Sequence, residues 1–367
     1  MKDLVLSILR YASLPFALLY GIIIWLRNRF YDWNIFTSTE FSLPVICVGN
    51  ITVGGTGKSP HIEHLIELLL PQYKLATLSR GYGRRTQGFR LADAGSNARE
   101  IGDEPFQFKF KYPSVEVCVA EERMTAIPRL LQQRQGIQVI LLDDAFQHRT
   151  VKAGLNILLT DYGRLFTRDY IMPFGLLRES RKASGRAHVI VVSKCDEHMS
   201  VEEKNRIKAE IAPNPNQTIF FSAITYGALY PLQPELPLLP KAESVLLVTG
   251  IANPKPLKEK LEREFTEVHI LEYKDHHYYT EEDIQEINAA FKHITNPNKI
   301  IITTEKDASR LMLQQQHIVP LKLPIYAQRI GIKLLFDEEE TFHDTILQFV
   351  EDYYPQVIYE EVFAETE

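Results

Sequence analysis

Val45-Ile46-Cys47-Val48-Gly49-Asn50-Ile51-Thr52-Val53-Gly54-Gly55-Thr56-Gly57-Lys58-Ser59-Pro60 is the stretch that decides the fold. Its apolar start reads as a buried strand, and the pattern behind it (His64-Leu65-Ile66, Leu68-Leu69-Leu70) reads as a helix. A strand, a glycine loop and a helix in that order hold nucleotide phosphates. Backbone N–H groups of the loop cradle anionic oxygens, Lys58 adds a point charge at the outer phosphates, and Ser59 offers a hydroxyl to Mg2+. The candidate nucleotide-binding residues are Thr52, Val53, Gly54, Gly55, Thr56, Gly57, Lys58 and Ser59. Thr52 stands where the standard pattern has its first glycine, and Gly54 and Gly55 supply the flexibility instead. The bland alternative, a glycine hairpin with an incidental lysine, has no use for the strand and helix that flank it.

Further buried-strand candidates follow at 75–79, 115–119, 139–142, 156–160 and 189–193, with helical stretches between them. This alternation predicts an α/β fold: a P-loop NTPase-like, mostly parallel sheet with helices on both faces. Pro231, Pro234, Pro237 and Pro240 come at three-residue spacing and read as an extended connector. Beyond it a second, smaller α/β pattern begins, with strands at 245–250, 268–271 and 299–304. The expected units are an N-terminal segment 1–35, a core 36–230, a linker 231–240 and a C-terminal unit 241–367.

A length of 367 residues suits two domains, and 45% hydrophobic with 24% charged residues is ordinary for a globular chain. The net charge of −6 gives no general attraction to nucleic acid, and no obligate protein partner is evident. Cys47, Cys118 and Cys195 form no CxxC pair and read as small buried hydrophobes of a reducing compartment. Residues 11–26 carry no charge, Arg10 precedes them, and Arg27 and Arg29 follow. The run is short for a full span. With Trp25 and Trp33 near its end, it reads as a helix lying in or dipping into one leaflet, with the body on the arginine side. By the charge rule that side is the cytoplasm, with the chain peripheral or monotopic. The alternative is an apolar helix packed in the core.

Several other constellations carry chemistry. The strand ending in Asp143-Asp144 puts carboxylates at the sheet edge where ligands bind in such folds, suited to a metal. Gly102-Asp103-Glu104-Pro105 is a turn with two carboxylates, or an N-capping acid before a helix. Arg80-Gly81-Tyr82-Gly83-Arg84-Arg85 suits an anionic head group, or is a basic surface turn. Asp275-His276-His277 sets imidazoles beside a carboxylate, the arrangement that fixes a tautomer and raises basicity. Ser193-Lys194-Cys195-Asp196 is similar to the Asn-Lys-x-Asp guanine reader of GTPases, with Ser in the first place.

Together these pieces resemble the tetraacyldisaccharide 4′-kinase family, the lipid A 4′-kinases of Gram-negative bacteria. The glycine loop carries the resemblance, with Leu78-Ser79-Arg80-Gly81-Tyr82-Gly83, Gly102-Asp103-Glu104-Pro105, Asp143-Asp144-Ala145-Phe146-Gln147-His148, Gly175-Leu176-Leu177-Arg178-Glu179, Asp275-His276-His277 and Thr304-Glu305-Lys306-Asp307. These occur in the family's order up to about residue 310. Ser59 replaces a commoner Thr, Ala145 a frequent Gly, Ser180 a frequent Pro and His188 a usual Asp.

The resemblance implies ATP and Mg2+ as cofactors, and a tetraacyl glucosamine disaccharide 1-phosphate as substrate at the inner-membrane surface. It implies Asp103 as the catalytic acid–base residue, paired with His276 or its neighbour His277. Asp143 and Asp144 then serve the metal and phosphates beside Lys58, with Ser59, Asp144 and Glu179 as metal positions. Arg80, Tyr82, Glu104, Arg123 and Arg178 become substrate or phosphate contacts. Since His276 lies in the second unit, the pair is expected to assemble when the units close. The rival reading is a P-loop GTPase or metallochaperone-like switch, which predicts GTP preference and no lipid product; a membrane-docked binding module without catalysis would need no acid–histidine pair.

Overall fold

The computed structural model describes residues 11–238 and 240–354. In chain order the strands are β1 (Val45–Asn50), β2 (Leu75–Ser79), β3 (Arg90–Leu91), β4 (Glu116–Val119), β5 (Val139–Asp143), β6 (Leu155–Asp161), β7 (Val189–Ser193), β8 (Thr218–Pro231), β9 (Ser244–Thr249), β10 (Glu267–Glu272), β11 (Lys299–Thr304) and β12 (Ile325–Leu334). They form one 12-stranded sheet in the order β10-β9-β11-β12-β8-β7-β6-β1-β5-β2-β4-β3. Pairing is parallel except at β3·β4 and β8·β12. The expected mostly parallel α/β sheet is what the chain forms.

Strands β1, β5, β7 and β9 are buried, mostly apolar runs because both faces of the sheet are covered there. Along β1, Val45 and Cys47 enter the core on one face, and Ile46 and Val48 enter the core on the other. In the second lobe Leu246 and Val248 of β9 pack on one side, and Val245 and Leu247 on the other.

Two features depart from a plain chain of two units. Strand β8 pairs parallel with β7 from Thr218 to Phe221 and antiparallel with β12 from Ser222 to Pro231. One strand therefore belongs to both lobes, and the sheet runs through the junction. The ladder shifts register between Gln328 and Ile330, so Gly227 and Ala228 of β8 bulge opposite Arg329. The proline segment follows β8 along the edge of this junction, where the Tyr326 hydroxyl donates to the Pro237 carbonyl at 3.1 Å.

Five helices bear on the site: α1 (Leu14–Asp32), α2 (Lys58–Leu69), α3 (Asp103–Lys111), α4 (Glu305–Leu311) and α5 (Glu339–Glu351). Helix α5 lies within the expected C-terminal unit 241–367. Its buried Phe342, Ile346 and Val350, spaced at i, i+4 and i+8, pack in the core of the first lobe. Each such burial is worth about 1.5–3 kcal/mol, which seats the end of the described chain beside α2. Helix α1 buries only Ala17 and Tyr31 and exposes Phe16, Leu18, Leu19, Ile22, Ile23 and Trp25. No helix among the described residues is long and apolar enough to cross a membrane.

Candidate active site

The glycine loop joins β1 to α2. Gly54 (φ 110°) and Gly57 (φ 79°) adopt left-handed backbone that a side chain would strain. The loop's carbonyls are tied down one after another. Val53 O accepts from Arg164 Nη2 at 2.8 Å, Gly54 O from Asn50 Nδ2 at 3.4 Å and Gly55 O from Lys194 Nζ. Thr56 O accepts from Ser193 Oγ at 2.8 Å, and Gly57 O from His61 Nδ1 at 2.7 Å. A peptide's N–H points opposite to its C=O. Holding five successive carbonyls to protein therefore turns the following N–H groups the other way, which makes an anion cradle. His61 can serve only as the Nδ1–H tautomer, because a carbonyl cannot donate; Nε2 then accepts from Ser222 Oγ at 3.0 Å. Burial lowers its pKa to about 4, so it stays neutral.

Two carboxylates stand at the end of β5, as expected for Asp143 and Asp144. Asp143 is buried, and its Oδ1 has no hydrogen-bond partner. Burial first, and then the charge of Glu104, push its pKa up to about 7. Asp144 is half-exposed; its Oδ1 lies 3.6 Å from Lys58 Nζ and 3.1 Å from Arg178 Nη1. A buried, unpartnered carboxylate oxygen next to a lysine and a hydroxyl suits a hard divalent cation such as Mg2+.

Helix α3 presents its first two residues to opposite partners. Glu104 Oε1 accepts from Ser59 Oγ at 3.1 Å and from Lys306 Nζ at 2.7 Å. Burial raises the Glu104 pKa, but Lys306, with Lys58 and Ser59, outweighs it and holds the group at about 2. Asp103 Oδ2 accepts a fork from Arg310, with Nε at 2.9 Å and Nη2 at 2.7 Å. The same Nη2 lies 3.1 Å from His276 Nδ1, while Nη1 reaches Asp307 Oδ1 at 3.2 Å and Gly250 O at 3.3 Å. Arg310 is 1% exposed. Asp103 and His276 therefore meet at one guanidinium and not in direct contact. His277 turns elsewhere, bonded to Asp283 Oδ2 at 2.8 Å and stacked on Tyr273 with ring centroids 4.7 Å apart.

Of the remaining candidates, Tyr82 is exposed with its ring 6.1 Å from that of His276, and Arg80 is exposed beside it. Arg123 is buried and donates to the carbonyls of Ala120 (3.1 Å) and Glu121 (3.0 Å). Glu179, expected at the metal, has both oxygens engaged: Arg186 on one side, and Asn28 of α1 on the other at 2.8 Å. In this structure it ties α1 to the body. The residues that sequence reading left without a role are Lys306, Arg310 and His61. The first two lie one helical turn apart behind Thr304, whose hydroxyl caps α4, so a charged pair at i and i+4 was the available signal.

A family model described as Tetraacyldisaccharide-1-P 4′-kinase matches residues 9–351. The chain is 43% identical over 351 residues to a tetraacyldisaccharide 4′-kinase of Bacteroides thetaiotaomicron, covering 92% of each chain. It is 44% identical over 353 residues to one of Flavobacterium johnsoniae, covering 95% of this chain and 99% of the relative. Among solved structures, LpxK from Aquifex aeolicus in complex with ATP matches with a TM-score of 0.72 at 26% identity, covering 93% of this chain and 99% of that one. With a family model spanning nearly the whole described chain and relatives this similar, the chain belongs to the tetraacyldisaccharide-1-phosphate 4′-kinase family.

Proposed function

We propose that this chain transfers the γ-phosphoryl group of ATP to the 4′-hydroxyl of a tetraacylated glucosamine disaccharide 1-phosphate. The observation that carries the mechanism is the pair Asp103-Glu104, which joins the phosphate loop to the second lobe through Ser59, Lys306 and Arg310. A group able to take the hydroxyl proton thus stands one residue from the loop's own hydroxyl contact.

Asp103 is the general base. Arg310 occupies its Oδ2, and Oδ1 has no protein partner and is the oxygen left to accept the proton. His276 accepts from Arg310 at Nδ1, which fixes the imidazole with its proton on Nε2, able to donate to the sugar. The O4′–P bond forms as the bond between the β- and γ-phosphates breaks, and ADP leaves. Lys58 and Lys306 supply fixed positive charge where the γ-phosphoryl oxygens gather charge. Ser59, Asp143 and Asp144 are the residues that would hold Mg2+, which would neutralise the phosphates. Arg178 orients Asp144, Arg80 and Tyr82 line the acceptor side, and buried Arg123 acts on the site through its charge near Asp143.

The substrate's acyl chains and the bilayer are met by α1. Its exposed apolar row borders a groove of about 450 Å³ lined by Leu14, Leu18, Ile22, Trp25, Ile171 and Phe174. Its polar side is bonded to the site: Tyr20 Oη to Arg178 O at 3.0 Å, Arg27 Nη2 to Gln147 O at 3.1 Å, and Asn28 to Glu179. A helix lying in the cytoplasmic leaflet, with Arg27 and Arg29 at its polar end, would carry the site to the surface where the lipid lies.

Incubation with γ-labelled ATP and the purified lipid disaccharide should yield labelled lipid, and Asp103→Ala should reduce turnover by about 10²–10⁴-fold. Turnover within about threefold of wild type would remove Asp103 as the base. The guanine-switch reading is not favoured: Ser193 Oγ and Lys194 Nζ bond the loop carbonyls. Competition between GTP and ATP for lipid phosphorylation checks it.

A further inference from the structure

Away from the site, three potential ligands converge between α2 and α5. His64 Nε2 lies 2.9 Å from His343 Nε2, and Glu339 Oε1 lies 3.9 Å from that same nitrogen. All three atoms fall within 4.8 Å of one another. We propose that His64, Glu339 and His343 bind a divalent transition-metal ion of the zinc class, which clips α5 to the phosphate-loop helix. The proposal stands independently of the kinase reading.

The donor set is two imidazoles and a carboxylate, which with one water completes a tetrahedral zinc site. A zinc–nitrogen distance of about 2.0–2.1 Å places tetrahedral ligand atoms roughly 3.3 Å apart. The two nitrogens therefore need to part by a few tenths of an ångström, and Glu339, whose side chain is 54% exposed, to approach His343 Nε2 by about half an ångström and His64 Nε2 by up to about 1.5 Å. Glu339 and His343 stand one turn apart on one helix face. The helix's rotation is fixed by buried Phe342, whose ring centroid is 5.9 Å from that of His64. Glu67 and Glu339 are the carboxylates near His64, and the nearby Arg329 is paired with Glu67. A set with two imidazole nitrogens discriminates against Mg2+, which prefers all-oxygen sites.

The test is a Co2+ and Zn2+ titration of the tag-free full chain after chelator treatment, read by visible absorption and by thermal melting. One Co2+ per chain should bind with the intense absorption of a four-coordinate site, Zn2+ should displace it, and excess Mg2+ should not. Zn2+ should raise the melting temperature. Removing an outer partner of a metal ligand already costs about 10–100-fold, so His343→Ala, losing a ligand itself, should weaken binding at least about tenfold. It should also abolish the thermal shift, while Asp144→Asn at the phosphate site should leave both intact. Should His64→Gln prove unstable, Glu339→Gln at an exposed position makes the same test. A wild-type chain that binds no Co2+, or His343→Ala and Glu339→Gln chains that bind it as tightly as wild type, would overturn the proposal.

Discussion

Replacing Arg310 by lysine keeps one positive charge and removes the fork. The guanidinium reaches Asp103 Oδ2 twice, His276 Nδ1, Asp307 Oδ1 and Gly250 O, all within 3.3 Å. An ammonium is a single point with no plane, and it cannot span Asp103 and His276 together. Charge-assisted hydrogen bonds are worth about 1.5–3 kcal/mol each, and a misplaced base forfeits much of the about 10²–10⁴-fold that base catalysis gives. Arg310→Lys should therefore lower kcat about 10²-fold, while KM for ATP stays within about threefold, since Arg310 touches no atom of the glycine loop. Arg310→Met leaves two carboxylates without their cation and should cost about 3–5 kcal/mol of stability, whereas the lysine variant should lose less. The assay is steady-state transfer of labelled phosphate with each substrate varied, alongside thermal melts of both variants. In a double-mutant comparison, Arg310→Lys and His276→Ala should be non-additive, because both act on one constellation. A folded Arg310→Lys enzyme with wild-type kcat would refute the idea that the guanidinium sets the geometry of the base.

Asp143 offers a pH signature. Its pKa rises from 3.8 to about 7 in the folded chain, so the stability it contributes is fully present below 3.8 and is lost as pH climbs through about 7. Asp143→Asn should accordingly gain on wild type across that window in thermal melts without Mg2+; a difference that does not vary with pH would contradict the assignment. Phe342→Ala should cost about 3–5 kcal/mol in denaturant melts. A loss below about 1 kcal/mol would mean that α5 is not seated in the first lobe's core. Leu18→Glu with Ile22→Glu should abolish flotation with liposomes, and a doubly substituted chain that floats like wild type would rule out α1 as the membrane contact.

Much of this was legible in the sequence, for physical reasons. Continuous apolar runs such as Val189-Ile190-Val191-Val192 have no other use than strands covered on both faces, and they gave the sheet. The loop from Thr52 to Ser59 could be read because its glycines answer to backbone geometry, which is local. Strand β8 was hidden because its partner β12 lies about a hundred residues on, and the proline series beside it drew attention as a connector. Arg310 escaped because it gains meaning only when a residue 207 positions away folds against it. His61 looked like any polar residue on a helix; only the fold shows the Gly57 carbonyl it holds. Glu179 could be placed near the site by its neighbours, but its engagement with Arg186 and Asn28 depends on where α1 docks.

The strand shared by both lobes bears on how the molecule comes apart. Separating the lobes would mean breaking hydrogen bonds along β8 on one side or the other, so neither half has an independent edge at which to unravel. The two halves should melt as one cooperative unit, with calorimetric and van't Hoff enthalpies in agreement. Slow local opening should be confined to the bulge at Arg329, where the ladder is already interrupted. Hydrogen exchange would show this as a narrow window of weak protection between two strongly protected stretches of one strand pair.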